Sequence, residues 1–294
     1  MKDNVKAALV QFSPKPMQHM EQNVEFITNK IVELSNKGNE LIVFPEMSIT
    51  NFFEHGPEGK IQYWNNGSLS VDDNVVQKIV EVTKKQNCYA IVGFAERSRM
   101  IGKIYNSAAC IGPKGIIGIT RKVHFPGLEK LYYSKGTEIP VFDTPLGKIG
   151  ISICYDSMFV EYLRALAVKG AEIIVMTSSI WKGGGKGGIG LETSKSQFWD
   201  LLPMVASVEH QSFVIACNGG GSHMIGEKVG TWERLGLSKI VDPTGDVLTK
   251  TDGNDEVVLN ATLEEKKLKE SRMAYSFLND REPELYQELT ELFN

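Results

Sequence analysis

KIGISICYDSMFVEYLRALAVKGAEIIVMTS, residues 148–178, decides how the chain is built. After Lys148 the run to Cys154 carries no charge and is apolar throughout, the signature of a strand buried on both faces. FVEYLRALAVKG (159–170) then spaces its apolar residues as a helix does and stops at Gly170, with Asp156 or Ser157 available to cap its start. AEIIVMTS (171–178) returns to a second apolar run. The same alternation extends outward in both directions. Strands are predicted at 5–12, 41–46, 89–96, 106–112, 116–123 and 212–218, and helices at 24–38, 75–87 and 196–211. With the meander-like stretch 89–123, this predicts a mixed sheet covered by helices, whose strand-to-helix junctions can present side chains at strand ends.

Composition narrows the class. The chain has 294 residues, 42% hydrophobic and 23% charged, enough for one large globular domain or two small ones. A net charge of −4 offers no basic face for phosphates, so neither nucleic acid nor an anionic membrane is an expected partner. The N-terminal MKDNVKAALVQFS has an apolar run of only about six residues, too short for a signal-peptide core or a membrane span, and a cytoplasmic location is expected. Cys88, Cys110, Cys154 and Cys217 lie far apart, without the density of a disulfide scaffold or the paired spacing of a zinc site. His19, His55, His124 and His223 show no metal-binding spacing, and no metal or cofactor is expected.

Three polar residues close apolar strands. Cys154 stands at a strand-to-helix junction, where a helix N-terminus can favour a thiolate; a packed structural thiol is the competing reading. Glu46 ends LIVFPE directly after Pro45, where burial would raise a carboxyl toward the range of a general base and a neighbouring cation would lower it again. Lys122 follows IIGITR and can donate to an oxyanion or hold a carboxylate ionised.

In the order AALVQFSP, LIVFPEMSIT, TRKVHFPGLEKLYYSKG, GISICYDSMFVEYLRALAVKGAEIIV, VEHQSFVIACNGGG and GLSKIVDPTGDVL, the chain resembles the carbon–nitrogen hydrolase, or nitrilase, superfamily along nearly its whole length. The resemblance implies an α/β fold, a four-layer αββα sandwich, over residues 1–262. It implies Glu46 as general base, Lys122 as oxyanion stabiliser, Cys154 as the nucleophile that forms a thioester, and Glu129 as a second glutamate positioning substrate and water. Residues 263–294 shift to a charged helical composition in which Tyr275, Phe277, Leu278, Tyr286, Leu289, Leu292 and Phe293 need cover. They read as a solvated tail helix or as a subunit-contact arm, and the family implies a homodimer or a larger homo-oligomer.

Within that family, Trp-Glu typically follows the cysteine in true nitrilases. Tyr155-Asp156 here resembles the amidase and carbamoyl-hydrolase branches, as does EKLYYSKG (129–136), so a small linear amide or N-carbamoyl (ureido) substrate is expected ahead of a nitrile. An acyltransferase using the same thioester and a non-catalytic binding protein are the competing functions. Val160 replaces the usual proline, and Glu209-His210 replaces the usual Glu-Asn, which leaves His210 either a core histidine or a substrate-binding one. WKGGGKGGIG (181–190) fits a dinucleotide-binding glycine spacing, but so glycine-dense a run satisfies many patterns. It reads better as a mobile rim of the pocket, with Trp181, alongside Tyr155, as a substrate-binding wall.

Overall fold

The computed structural model describes residues 1–291; Leu292 and Phe293 of the predicted arm lie outside the described residues. The strand β1 (Asn4–Gln11) shows why the chain stacks in layers. Its Val5, Ala7 and Leu9 join one hydrophobic core while Ala8 and Val10 join another, as the two-residue repeat of a strand requires. Parallel β2 (Leu41–Val43) and β3 (Tyr89–Arg97) follow β1, and β4 (Ile104–Gly112) and β5 (Gly115–Arg121) continue the sheet antiparallel.

A second sheet repeats the pattern. β6 (Val141–Thr144) is antiparallel to β7 (Gly147–Ile153), and β7, β8 (Ile173–Ser178) and β9 (Phe213–Asn218) run parallel. After a separate hairpin of β10 (Ser222–Gly226) and β11 (Gly230–Glu233), β12 (Lys239–Val241) and β13 (Val247–Lys250) extend this sheet. β14 (Val257–Glu264) returns to the first sheet, pairing antiparallel with β1 from Asn4 opposite Glu264. The sheet orders are β14-β1-β2-β3-β4-β5 and β13-β12-β9-β8-β7-β6.

The sheets pack face to face, with Cys217 Sγ on β9 3.6 Å from the Val43 carbonyl on β2. Helices α1 (Met20–Asn36) and, beyond the single turn α2 (Gly59–Gln62), α3 (Asn74–Gln86) cover the first sheet through Val24, Ile27, Ile31, Ile79 and Val80. After the single turn α4 (Glu129–Tyr132), α5 (Val160–Val168) and α6 (Glu192–His210) cover the second through Leu163, Leu166, Trp199 and Ala206. The result is the four-layer αββα sandwich. Each fully buried Ile or Leu in it contributes roughly 1.5–3 kcal/mol relative to exposure.

Residues past 262 differ from expectation. β14 runs through Glu264 and α7 (Glu265–Ala274) docks on the body, burying Leu268 while Arg272 donates to the carbonyls of Ala171 and Gln211. Only beyond α7 does the chain lack cover. Tyr275 and Phe277 stack on each other at 5.4 Å yet remain exposed, as do Tyr286 and Leu289. This stretch forms short 3₁₀ turns at Pro283–Leu285 and Gln287–Thr290 rather than a long helix. Pro283 interrupts it, and a short helix without an apolar surface to lie on is marginal in water.

Candidate active site

Parallel strands of both sheets end on one side, and the polar residues singled out above lie just past those ends, where α/β folds build their sites. Glu46 follows β2 in a tight turn whose position β3 dictates. A Cβ on Gly93 would lie 2.5 Å from Met47 N and 2.9 Å from Pro45 O, so only glycine lets β3 come so close. Ser48 Oγ accepts from Gly93 N at 3.0 Å, and Ile49 N donates to Gly93 O at 3.0 Å, which locks the turn. Lys122 follows β5, its amide donating to Asn106 O at 2.8 Å. Glu129 opens α4.

These side chains meet in a closed polar cluster. Lys122 Nζ is fully buried and donates to Glu46 Oε1 at 2.8 Å and to Glu129 Oε2 at 2.7 Å. An ammonium has three N–H groups, and among the described residues the third has no acceptor. Asn106 Nδ2 also donates to Glu46 Oε1, at 2.7 Å. Glu46 Oε2 is therefore distinct: it is buried and, among the described residues, has no hydrogen-bond partner. Asn106 escaped the sequence reading, although an amide opening the mostly apolar stretch NSAACIG was the available signal.

Electrostatics within the cluster are strongly coupled. Burial alone would lower the Lys122 pKa, but the charges of Glu129 and Glu46 outweigh it and raise the group well above its ordinary value. Burial pushes Glu129 up to about 7, with Lys122 opposing and Glu46 adding to the rise. The Cys154 thiol is driven far above its usual range, first by burial and then by the Glu46 charge, with Lys122 opposing. This is the reverse of a thiolate favoured by a helix N-terminus. A 3₁₀ turn, Cys154–Met158, intervenes instead, and α5 begins only at Val160.

Cys154 itself has φ +50°, a left-handed conformation unusual for a residue with a side chain. The turn that imposes it is tied down by Asp156. That fully buried carboxylate does not cap α5; it accepts from the amides of Val123 at 3.2 Å and His124 at 2.8 Å and from His124 Nδ1 at 2.8 Å. Asp156 thus clamps the cysteine turn to the chain just after Lys122. Ser157 Oγ pairs with Ser152 Oγ at 2.7 Å.

Cys154 and Glu129 open into a cavity of about 1010 Å³, walled by Phe52, Phe125, Tyr155, Trp181, Phe198 and Trp232 among others. Tyr155 and Trp181 line it, and residues 188–190 of the glycine-rich run form part of its rim. His210 does not line it. It is fully buried at the end of α6 with both ring nitrogens unpartnered, and burial pushes its pKa down to about 3, so it is a neutral core histidine and not a wall of this cavity. Cys88, Cys110 and Cys217 are buried free thiols away from the cavity. Among the described residues, no helix is long and apolar enough to cross a membrane, and no group of three His, Cys, Asp or Glu side chains is arranged to hold a metal ion.

A family model described as carbon-nitrogen hydrolase matches residues 6–273. A protein of Schizosaccharomyces pombe described as a probable nitrilase is 31% identical over 297 residues, covering 98% of this chain and 99% of that one. A citrullinase of Francisella tularensis is 29% identical over 297 residues, covering 99% of each. Among solved structures, a carbon-nitrogen hydrolase from Helicobacter pylori superposes with a TM-score of 0.87 over 99% of this chain and 100% of that one, and at 22% identity this is a likeness of fold.

Proposed function

The chain belongs to the carbon–nitrogen hydrolase family and is a hydrolase of non-peptide C–N bonds; on that footing we propose that it cleaves a small linear amide or N-carbamoyl compound through a thioester on Cys154. The observation that carries this reading is the asymmetry of Glu46. Its Oε1 is occupied by Lys122 and Asn106, while its buried Oε2 is free to take a proton. A thiol held protonated by burial and by the Glu46 charge needs such a base at the moment of attack.

The chemistry then follows from the residue types. Glu46 takes the thiol proton as Sγ bonds to the carbonyl carbon, and the carbonyl π electrons move to oxygen. That oxyanion accepts from the third N–H of Lys122 and from the backbone N–H of Tyr155. Collapse breaks the C–N bond, and Glu46 hands its proton to the departing nitrogen. Glu46 next deprotonates water, which adds to the thioester; the C–S bond breaks, the thiol recovers its proton, and the acid leaves. With a ureido substrate the acyl group is a carbamoyl, whose hydrolysis gives a carbamate that decays to carbon dioxide and ammonia. Glu129 keeps Lys122 charged and aimed and borders the water, and Tyr155 and Trp181 wall the substrate.

Tyr155-Asp156 after the nucleophile and the resemblance to a citrullinase, an enzyme named for a ureido substrate, favour amide or ureido over nitrile. The test is ammonia release from amides, ureido acids and nitriles, with Cys154→Ala as blank. Turnover of amides or ureido compounds that vanishes in Cys154→Ala is expected. Turnover of nitriles alone, or activity undiminished in Cys154→Ala, overturns the reading. The same reading gives the protein a homodimeric form in which the exposed Tyr275, Phe277 and Leu289 are covered; a monomer by light scattering at assay concentrations removes that part.

A further inference from the structure

The glycine-rich run takes no part in the chemistry above, yet it lies against a charged side chain of the cavity. Lys195, in the first turn of α6, lines the cavity that contains Cys154. Its stem passes beneath residues 183–190. A Cβ on Gly183 would meet Gly190 O at 2.5 Å and then Lys195 Cδ at 3.3 Å, one on Gly188 would meet Trp181 Cβ at 2.7 Å and then Nζ at 3.1 Å, and one on Gly190 would lie in ordinary contact with Cε at 3.6 Å. Gly183 and Gly188 also have φ of +87° and +92°, which leaves them little alternative.

At its end the ammonium has a single acceptor, the Trp181 carbonyl at 2.9 Å. Among the described residues no carboxylate lies within ion-pair distance of it, so a half-buried cation with donors to spare faces the cavity. Its surroundings supply no hidden partner. Among the described residues the only carboxylate lining the cavity is Glu129, which already accepts from Lys122, whereas Lys130, Lys135 and His124 add positive or neutral groups. Arg234 stands behind the Trp181 ring at 4.7 Å and hydrogen-bonds only neutral acceptors: Ser179 Oγ, Asn51 Oδ1 and the carbonyls of Gly220 and Ser222. This side of the pocket is thus electropositive. Burial lowers the Lys195 pKa, and Lys195 and Cys154 line the same cavity.

We infer that Lys195 is the specificity-determining residue for a carboxylate carried by the substrate. This rests on the hydrolase reading above and sharpens it: the substrate is a short amido or ureido acid, its carboxylate on Lys195 and its amide carbon at Cys154. The spacer between them is apolar, to match Phe52, Phe125, Ile180 and Phe198.

The test compares amido and ureido acids of three to five carbons with analogues in which the carboxylate has become a carboxamide, in the wild type and in Lys195→Met. Methionine keeps most of the stem's packing and loses the charge. The wild type should prefer the acids. Lys195→Met should raise KM for the acids roughly 10- to 100-fold, the worth of one charge-assisted hydrogen bond, with kcat and the neutral analogues changed by less than about threefold. A wild type indifferent to the carboxylate overturns the inference, as does a variant in which acids and neutral analogues suffer alike.

A second readout needs no substrate. Alkylation of Cys154 by iodoacetate relative to iodoacetamide should fall in Lys195→Met, because the anionic reagent alone is drawn by the ammonium. An unchanged ratio refutes the role of Lys195. Labelling that is the same in Cys154→Ala would instead refute the assignment of the nucleophile.

Discussion

Replacing Glu46 with glutamine separates two effects that a simpler picture would merge. The side-chain carbonyl of the new amide can keep both hydrogen bonds now made to Oε1, from Lys122 at 2.8 Å and Asn106 at 2.7 Å. What disappears is charge. The Asn106 bond falls from the charged class, about 1.5–3 kcal/mol, to the neutral class, about 0.5–1.5 kcal/mol, while the Lys122 bond stays charge-assisted through its ammonium but loses the ion pair, so the fold should lose only ~1–3 kcal/mol and stay intact at 25 °C. The group at the position of Oε2, now an NH₂, can no longer accept a proton. Loss of a positioned general base is worth roughly 10²- to 10⁴-fold, and kcat/KM for ammonia release should fall by that much. The Glu46 charge is also one of the causes holding the Cys154 thiol protonated, so its removal moves that pKa down. Glu46→Gln should therefore alkylate with iodoacetamide at lower pH than the wild type while hydrolysing far more slowly. The assay pairs steady-state kinetics with pH-dependent alkylation, and circular dichroism checks the fold. A folded variant retaining more than about a tenth of wild-type kcat/KM would refute Glu46 as the base. A thiol titrating higher than in the wild type would refute the electrostatic account.

Two further expectations concern the cluster's neighbours. With Glu129 raised to about 7 from an unfolded value of 4.5, its protonation below neutral pH leaves Lys122 one carboxylate partner, so kcat/KM should drop on an acidic limb near 7 that moves in Glu129→Gln. The sign for stability is opposite: the folded chain holds the extra proton between 4.5 and about 7, so this group's contribution falls as pH rises through that window, and chemical denaturation across it that showed no such decline would count against the buried carboxyl. Gly93→Ala would set a Cβ 2.5 Å from Met47 N, a clash with backbone that should cost about 2–4 kcal/mol in urea unfolding and, by shifting Glu46, on the order of 10²-fold in kcat/KM. If both quantities keep their wild-type values, the turn carrying Glu46 is not set by that approach.

The strands and helices were legible wherever one periodicity ruled. The runs at 5–12, 89–96, 148–154 and 212–218 became β1, β3, β7 and β9 to within a residue or so at each end, and 75–87 became α3. Short, half-exposed strands such as β6, β10, β11 and β13 left no such trace, because their pairing rather than their own burial makes them strands. His210 lies near the site in the chain's motif order but points into the core, a choice that helix rotation makes and composition cannot.

In the sequence Glu46, Lys122 and Cys154 stood out as charged or reactive groups closing apolar strands, where such groups are costly without partners, and the family resemblance gave them roles and added Glu129. Only the tertiary structure decided what those partners are. It brings Asn106 onto the same oxygen as Lys122, leaves Glu46 Oε2 free, and holds the thiol protonated through burial and a neighbouring charge. It also aims Asp156 at the lysine strand's end instead of at a helix, and brings Lys195 into the cavity that holds Cys154. The reason is physical. Desolvation and Coulomb coupling act through space over a few ångströms, between residues far apart along the chain, 76 positions in the case of Glu46 and Lys122.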